Sequence, residues 1–462
     1  MKNNNTSGYV IFMAVVAAIG GILFGYDTAV ISGTTEIVKN QFGLTDMMEG
    51  WYVGCALIGS ICGVLVAGSL SDYLGRKLTM LISAALFSIS AIGCAVCGSF
   101  DALVAYRIVG GVGIGIVSIV SPIYISEVSP ARIRGTLVSL YQLAVTIGFL
   151  LAYLMNWVID VNGNLAVSGD LWTNIWNCEM WRGMLGSETL PALLFFLVIF
   201  FIPESPKWLI VNGKLDKASL ILNKIYATGE EVKEEIDVTR ESLQGETKGK
   251  WSDLLKPGIL VAVIAGSAIA ILGQFMGVNA VLYYGPKIFS EAGFDNPMFS
   301  TVLVGVVNMV TTILAVFIID KVGRKQLIYW GVSGMIVCLL AIGIYFAWGS
   351  ALGLGNAFML TFFLAYVFCC AISISAIVFV LLSEMYPNSV RGRAMSIAGF
   401  ALWIGTYLIG QLTPVLLGWS QAGTFFLFAV MCVPYMLIMW KVVPETTGKT
   451  LEEIEAYWNN RK

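Results

Sequence analysis

The chain has 462 residues, of which 58% are hydrophobic and only 12% are charged, whereas soluble domains carry about 25% charged residues. The net charge of −2 gives no basic surplus for a nucleic-acid partner, and the absence of histidine removes the commonest metal ligand. This composition predicts an integral membrane protein without metal or cofactor, in which carboxylates perform any proton chemistry. The sequence contains no recognisable pair of a nucleophile and a base, so it does not predict an enzyme.

Twelve apolar runs are each long enough to cross a bilayer as a helix. They lie near 9–31, 50–70, 78–98, 102–124, 136–158, 184–202, 258–282, 299–319, 327–348, 355–383, 394–418 and 422–443. With both termini cytoplasmic, every Lys and Arg except Lys39, Arg107, Arg182 and Lys287 falls on the inner side. This distribution satisfies the positive-inside rule and predicts a multi-pass protein of the cell (inner) membrane.

Three motifs occur twice, in the same order, after corresponding apolar runs. They are Asp72-x-x-Gly75-Arg76-Lys77 and Asp320-x-x-Gly323-Arg324-Lys325, Glu127-x-x-Pro130-x-x-x-Arg134-Gly135 and Glu384-x-x-Pro387-x-x-x-Arg391-Gly392, and Pro203-Glu204-Ser205 and Pro444-Glu445-Thr446. Such a parallel repeat is typical of transporters that bind substrate near the midplane between two halves. We therefore predict an all-α fold with six-helix halves at 1–202 and 258–443, short cytoplasmic helices at 203–257 and a tail helix at 444–462.

Asp27 lies inside the first apolar run, where a charged side chain costs about 2.5–3.5 kcal/mol at the bilayer centre. Arg107, inside the fourth run, is its natural partner. Two unit charges about 4 Å apart at an effective dielectric of about 20 attract by about 4 kcal/mol. Moving Arg107 away would therefore switch Asp27 between its ionised and protonated forms. The alternatives are a static ion pair and a hydrated Asp near the surface.

Further motifs carry a family resemblance over the whole chain. They are Gly25-Tyr26-Asp27-Thr28, Tyr106-Arg107-Ile108-Val109-Gly110-Gly111, Pro122-x-Tyr124-x-x-Glu127, Pro203-Glu204-Ser205-Pro206-Lys207-Trp208 and Pro444-Glu445-Thr446-Thr447-Gly448-Lys449. With the paired loops, they make the chain resemble the sugar porters of the major facilitator superfamily, closest to bacterial xylose–proton symporters and similar to animal facilitative glucose transporters.

The resemblance implies the major facilitator fold and proton-coupled uptake of a xylose- or hexose-like monosaccharide by alternating access. It also implies that Glu188 tunes the Asp27–Arg107 pair. Uniporting relatives carry Asn at the position of Asp27, so this carboxylate favours symport. The alternatives are a uniporter, a carrier of a polyol or other organic solute, and a non-transporting sugar sensor. The short segment after Pro444 counts against the sensor.

A sugar requires amides to match its hydroxyl groups and an aromatic face for its apolar side. Amides inside apolar runs are costly unless they are bonded, and bonds between helices are the alternative for each. The candidate substrate-binding residues are Gln142, Gln274, Asn279, Asn308, Trp403, Phe379 and Tyr283. Tyr283 lies where the resembling family has its outer gate. The expected partners are the sugar, protons and the bilayer, with the protein acting as a monomer.

Three departures from the resembling family alter the predicted pocket. Gly273 stands where that family has a second Gln, residues 375–379 replace a Gly-Pro-x-x-Trp motif, and Leu402 replaces a polar amide. We expect a roomier and more apolar pocket, in which Gly273→Gln would restore the missing amide provided that Phe379 leaves room. Without the proline, the tenth span is expected to bend less easily.

Repeated charges at the inner helix ends predict a cytoplasmic gate. Its members are Asp72, Arg76, Glu127, Arg134, Glu204, Asp320, Arg324, Glu384, Arg391 and Glu445. Arg–carboxylate bonds are directional, and at half-buried helix ends they are only partly screened. We expect these residues to hold the halves together on the inside while the outside is open. A topology signal alone would explain the cations but not the carboxylates at fixed spacing.

Overall fold

The computed structural model describes residues 2–130, 132–163, 170–226, 228–245, 251–387, 390–446 and 451–459. Within these ranges the chain is almost wholly helical and contains no β-strand. Twelve stretches are long and apolar enough to cross a membrane. Helices satisfy their own backbone groups, as a chain in hydrocarbon requires. The predicted all-α membrane fold is confirmed.

The N-terminal repeat begins with five long, continuous helices, followed by shorter ones. Their bounds are α1 Lys2–Phe42, α2 Asp46–Leu74, α3 Arg76–Val96, α4 Phe100–Val128, α5 Arg134–Asn162, α6 Leu171–Thr173, a π-helix Asn174–Cys178, α7 Met180–Gly186 and α8 Thr189–Ile199. The last two helices form a single span, Met180–Phe201. This sixth span is interrupted at Ser187 and Glu188, and the interruption places a carboxylate within the membrane.

The linker contains short helices, as predicted. They are α9 Pro206–Val211, α10 Leu215–Ile225, α11 Gly229–Gly245 and a 3₁₀ helix Trp251–Leu255. Ser205 caps α9 by accepting from the Trp208 N–H at 3.3 Å. Helix α10 is amphipathic, with Ala218, Leu222 and Ile225 buried on one side.

The C-terminal repeat contains two interrupted spans. Its helices are α12 Pro257–Phe275, α13 Val278–Glu291, α14 Pro297–Val322, α15 Arg324–Leu352, α16 Asn356–Ile372, α17 Ile374–Met385, α18 Arg391–Trp419, α19 Gln421–Lys441 and α20 Leu451–Asn459. The pairs α12–α13 and α16–α17 each form one membrane-length span. The tail helix α20 is anchored by Trp458, whose indole N–H donates to the Met385 carbonyl oxygen at 2.8 Å.

The helices group into two compact units that do not follow the sequence repeats throughout. The first unit contains the chain up to Thr34 and from Cys55 into the linker. The second unit contains Thr35–Gly54 in addition to the C-terminal repeat. The segment Thr35–Gly54 comprises the end of α1, the following turn and the beginning of α2.

Small residues allow close helix packing within the first unit. Gly111 and Gly115 of α4 lie against the backbone of α2. A Cβ atom on either would come within 2.0 Å of the Ala56 carbonyl oxygen or 2.2 Å of the Ser60 carbonyl oxygen. Such contacts replace the hydrophobic effect as a driving force between helices in lipid. They hold α4, and with it Arg107, at a fixed position against α2.

The tenth span is broken although it lacks a proline, so the expectation that it bends less easily is wrong. Ser373, between α16 and α17, has φ −111° and ψ −87°. Its hydroxyl donates to the Cys369 carbonyl oxygen at 2.6 Å. Its side chain also packs on Gly331 of α15, where a Cβ would lie 2.2 Å from Ser373 Oγ. Serine bonding to the backbone and close packing therefore produce the break.

Candidate functional site

A buried ion pair joins α1 to α4 within the first unit. Arg107 Nη1 donates to Asp27 Oδ1 at 2.5 Å, and the two side chains are 3% and 2% exposed. Removing both charges from water is costly, and only close, bonded pairing offsets that cost. The predicted partnership of Asp27 with Arg107 is thus present in the structure.

Glu188 adds a second buried carboxyl group to this pair. It lies in the break between α7 and α8, is 2% exposed, and interacts electrostatically with both Asp27 and Arg107. Tyr26 Oη and Ser187 Oγ share a hydrogen bond of 2.6 Å, which ties the break to α1. Two carboxyl groups beside one guanidinium have one negative charge in excess when both are ionised. Such a coupled cluster can take up and release a proton.

The seventh span is interrupted between two of the predicted sugar-binding amides. Gly277 has φ +90°, in the left-handed region that favours glycine, and a Cβ there would lie 2.3 Å from the Phe428 ring. The break frees backbone groups from the helical ladder. Tyr366 satisfies one of them, because its hydroxyl donates to the Met276 carbonyl oxygen at 2.8 Å.

Across this break the amides of Gln274 and Asn279 are bonded together. Asn279 Nδ2 donates to Gln274 Oε1 at 2.6 Å. Thr406 Oγ1, on α18, lies 3.3 Å from the same oxygen and 2.9 Å from the Leu402 carbonyl oxygen. Since a hydroxyl has one proton, Thr406 donates to one of these acceptors at a time. The sequence interpretation missed Thr406, although it follows Trp403 by three residues on the same helix face.

The other predicted substrate-binding residues are dispersed over several helices. Gln142 on α5 and Phe379 on α17 are exposed, Asn308 on α14 and Trp403 on α18 are half-buried, and Tyr283 on α13 is buried. Their roles remain predictions. The atoms nearest to a Cβ built on Gly273 are Ile374 Cγ2 and Tyr435 Cε2, at 3.5 and 3.8 Å.

The inner residues of the N-terminal repeat form a dense network around Arg76. Its guanidinium makes a two-bond contact with Glu127, at 2.9 and 3.0 Å, and lies 3.1 Å from Asp72. Glu204 accepts from the backbone N–H of Arg76 at 2.9 Å and of Ser205 at 2.8 Å. Burial raises the pKa of Glu204, although these N–H groups act in the opposite direction.

The C-terminal repeat contains a corresponding network around Glu384. Arg324 Nη2 donates to Glu384 Oε1 at 3.1 Å, and Thr446 Oγ1 donates to Glu384 Oε2 at 2.6 Å. Thr446 thereby takes the place of Ser205, whose hydroxyl donates to Glu127 at 2.5 Å. Repetition of the motifs in sequence therefore corresponds to repetition of the bonding pattern.

The remaining members of the predicted gate are bonded differently. Arg134 Nε donates to the Ser129 carbonyl oxygen at 3.4 Å, and Glu445 accepts from the Thr446 N–H at 3.1 Å. Arg391 Nε and Nη2 have no hydrogen-bond partner in the described part of the chain. The side chain of Asp320 lies outside the described residues. The action of the gate residues between the halves remains a prediction.

Comparison with known proteins places these features in a family. The family described as "Sugar (and other) transporter" matches residues 13–458. An arabinose–proton symporter of Bacillus subtilis (strain 168) is 39% identical, over 99% of this chain and 97% of its own. A D-xylose–proton symporter of Escherichia coli (strain K12) is 38% identical over the same shares.

Solved structures agree with the sequence comparison. An inward open conformation of the xylose transporter XylE from E. coli superposes with a TM-score of 0.84 at 35% identity, covering 97% of this chain and 100% of the other. The proton:xylose symporter XylE bound to 6-bromo-6-deoxy-D-glucose gives a TM-score of 0.79 at 36% identity, covering 98% of this chain and 100% of the other. The chain is therefore a multi-pass membrane transporter that belongs to the Sugar (and other) transporter family of the major facilitator superfamily.

Proposed function

We propose that the protein takes up a monosaccharide, xylose- or hexose-like, together with protons, by alternating access. The observation that carries this proposal is the buried cluster of Asp27, Arg107 and Glu188, with its two carboxyl groups and one guanidinium. The names of the related arabinose–proton and D-xylose–proton symporters support both the substrate class and the coupling. The protein is further proposed to act as a monomer in the cell (inner) membrane with both termini cytoplasmic.

Proton coupling follows from the electrostatics of this cluster. While Arg107 is bonded to Asp27, the ionised carboxylate is compensated. When the two separate, a buried carboxylate loses its cation and the neutral acid is favoured. The proton is therefore taken up or released as the distance between α1 and α4 changes. Glu188 supplies a nearby carboxyl group that can share the charge.

Sugar recognition is proposed for the interrupted seventh span. Gln274 and Asn279 present amide groups at the break, and Gln142, Asn308, Trp403, Phe379 and Tyr283 complete the proposed pocket. Gly273 and Leu402 occupy positions where the resembling family has amide side chains, so this pocket has fewer polar groups. Because contacts that would select xylose or glucose are reduced, the second candidate substrate is a polyol or other small organic solute.

Uptake into proteoliposomes tests the proposal. Radiolabelled D-xylose, L-arabinose, D-glucose and sorbitol are supplied with and without an inward proton gradient, and with a protonophore. We expect at least one aldose to be accumulated above its outside concentration only when the gradient is present. Equilibration without accumulation would indicate a uniporter, and accumulation of sorbitol alone would replace the sugar by a polyol. No flux of any solute would contradict the proposal.

A further inference from the structure

Glu49, in the first turn of α2, is a fully buried carboxylate between two lysines. Its side chain is 0% exposed. Lys287 Nζ, on α13, donates to both of its oxygens at 2.9 Å, and Lys39 Nζ, at the end of α1, lies 2.8 Å from Oε2. Lys39 is also bonded to Asp46. These residues lie at the opposite end of α2 from the Asp72–Arg76 network and have no place in the proposed proton or sugar site.

The two lysines differ in which part of the chain they contribute. One lysine, Lys39, lies at the end of α1, next in sequence to the start of α2 with Asp46 and Glu49. The other, Lys287, belongs to the C-terminal repeat. The Lys39 contacts therefore brace the turn, and helix ends already favour a cation on α1 and acids on α2. The Lys287–Glu49 contact ties the N-terminal repeat to α13. It explains in part why Thr35–Gly54 belongs to the second unit.

Backbone packing beside Glu49 strengthens the same connection. Gly50 faces α18 so closely that a Cβ would lie 2.0 Å from the Gln411 carbonyl oxygen. Gln411 Nε2 donates to the Met47 carbonyl oxygen at 2.9 Å. Helix α18 is in turn tied to α13, because the Tyr284 hydroxyl donates to the Gly410 carbonyl oxygen at 2.7 Å. The start of α2 is thus docked on α13 and α18 by charge, hydrogen bonding and close contact.

We infer that the Lys287–Glu49 contact is the outer latch of the transporter, which closes the path from the outside and must break in each cycle. Repeats of such a transporter move against each other around a central site, so contacts between them at one end must open. A buried ion pair suits this role. Closed, Glu49 compensates Lys287, which is mostly buried, and open, the lysine is hydrated while Glu49 keeps Lys39 as a partner. The inference rests on the proposed alternating access and orientation.

Reversible cross-linking tests the latch. Glu49→Cys with Lys287→Cys is bridged by a short bifunctional thiol reagent whose linkage is reducible, applied outside to the full chain in vesicles. We expect sugar equilibration without a proton gradient to stop on bridging and to return on reduction. The matched control is the double variant Lys39→Cys with Asp46→Cys, in which the reagent bridges the end of α1 to the start of α2. Its rate of sugar equilibration should be the same before and after reduction of the bridge. Bridging of the first pair without loss of equilibration would overturn the inference.

A second measurement needs no substrate and therefore separates the latch from the proposed function. Tyr407→Cys on α18 faces Gly54, whose added Cβ would lie 2.9 Å from the Tyr407 ring, so this position is covered by the start of α2. When Lys287→Met is added, an impermeant thiol reagent should label the cysteine at position 407 about tenfold faster or more. Lys287→Arg should leave the labelling rate close to that of the Tyr407→Cys variant with its native Lys287. Equal labelling in the Met and Arg variants would overturn the latch even if sugar transport is established.

Discussion

The charged residues of this protein fall into groups that differ in how completely they are removed from water. Asp27 and Arg107 are buried within their helices, whereas Asp72 is exposed and its carboxylate contacts Arg76. Exposed pairs contribute about 0–1 kcal/mol, while a buried pair that loses one member costs about 3–5 kcal/mol. Substitutions at the buried positions should therefore change function strongly.

The first prediction concerns the coupling carboxylate. We expect Asp27→Asn to abolish accumulation of sugar against its gradient while sugar exchange at equal concentrations continues. The amide keeps the shape and can still accept a hydrogen bond from Arg107, but it cannot take up a proton at neutral pH. Accumulation and exchange in proteoliposomes are measured side by side. Undiminished accumulation by the variant would exclude Asp27 as the coupling group.

The second prediction concerns the amides at the interrupted seventh span. Gln274→Ala should weaken sugar binding by about 1.5–3 kcal/mol, roughly ten- to a hundredfold, because a matched polar partner is lost. Thr406→Val removes a 3.3 Å contact to the same oxygen and a bond within its own helix, and it should weaken sugar binding less, by about 0.5–1.5 kcal/mol. Titration of each purified variant with the transported sugar gives both values. Normal affinity in Gln274→Ala would place the pocket elsewhere.

Charges and amides in apolar runs were predictable from the sequence because their cost in a membrane makes them stand out. The Asp27–Arg107 pair was predicted on that basis, and Gln274 and Asn279 were singled out individually, but the bond between these two amides was not predicted. Thr406 was missed, since threonine bonds to its own helix backbone and is inconspicuous in an apolar run. Glu49 was missed for another reason. A carboxylate at the end of a span looks like a solvated loop charge until its partners are known.

At the level of helices, the informative elements are the three interrupted spans. Two of the breaks coincide with residues of the proposed sites, Glu188 between α7 and α8, and Gly277 between Gln274 and Asn279. Irregular backbone at membrane depth is tolerated only where it is buried in protein or lines a cavity. Periodicity could not reveal these breaks, because an interrupted apolar run has the same composition as a continuous one. Ser373, without a proline nearby, shows this most clearly.

The third prediction tests the break at Gly277. Gly277→Ala should lower the thermal midpoint in detergent, because an L-residue at positive φ costs about 1–2 kcal/mol and its Cβ would also collide with Phe428. Gly353→Ala is the matched control. It too has positive φ, +64°, but no atom lies within 4 Å of an added Cβ, so it carries the backbone cost alone. A midpoint that falls no further for Gly277→Ala than for Gly353→Ala would contradict the steric account.

At the level of the whole molecule, the duplicated inner motifs build the same network twice. Arg76 with Glu127 and Arg324 with Glu384 are joined at 2.9–3.1 Å, and a hydroxyl from Ser205 or Thr446 completes each network. The sequence repeat singled out these residues but predicted that they hold the two halves together, and that role remains a prediction. What it could not predict is the grouping of Thr35–Gly54 with the C-terminal repeat, because that grouping depends on contacts between distant segments.

The fourth prediction concerns the inner networks. Glu384→Ala should shift the protein toward inward-open states, because Arg324 and Thr446 lose their acceptor and the inner helix ends are less well held. Thiol labelling of Tyr407→Cys from outside should then become slower. Asp72→Ala removes a carboxylate that is 77% exposed and should leave the labelling rate almost unchanged. A rate unaffected by Glu384→Ala would contradict this role for the inner residues.

Helix α1 runs without interruption from the proposed proton site to the end that the proposed orientation places outside. Asp27 and Lys39 lie on it twelve residues apart, which corresponds to about 18 Å along the axis. A helix of this length behaves as a stiff rod, so a tilt of its tip when the outer contacts open is transmitted to the carboxylate near its middle. The same movement of α1 then separates Asp27 from Arg107 and opens the path for solute from outside. Proton coupling would need no relay of side chains between the two sites, and a kink introduced between residues 28 and 38 should uncouple them.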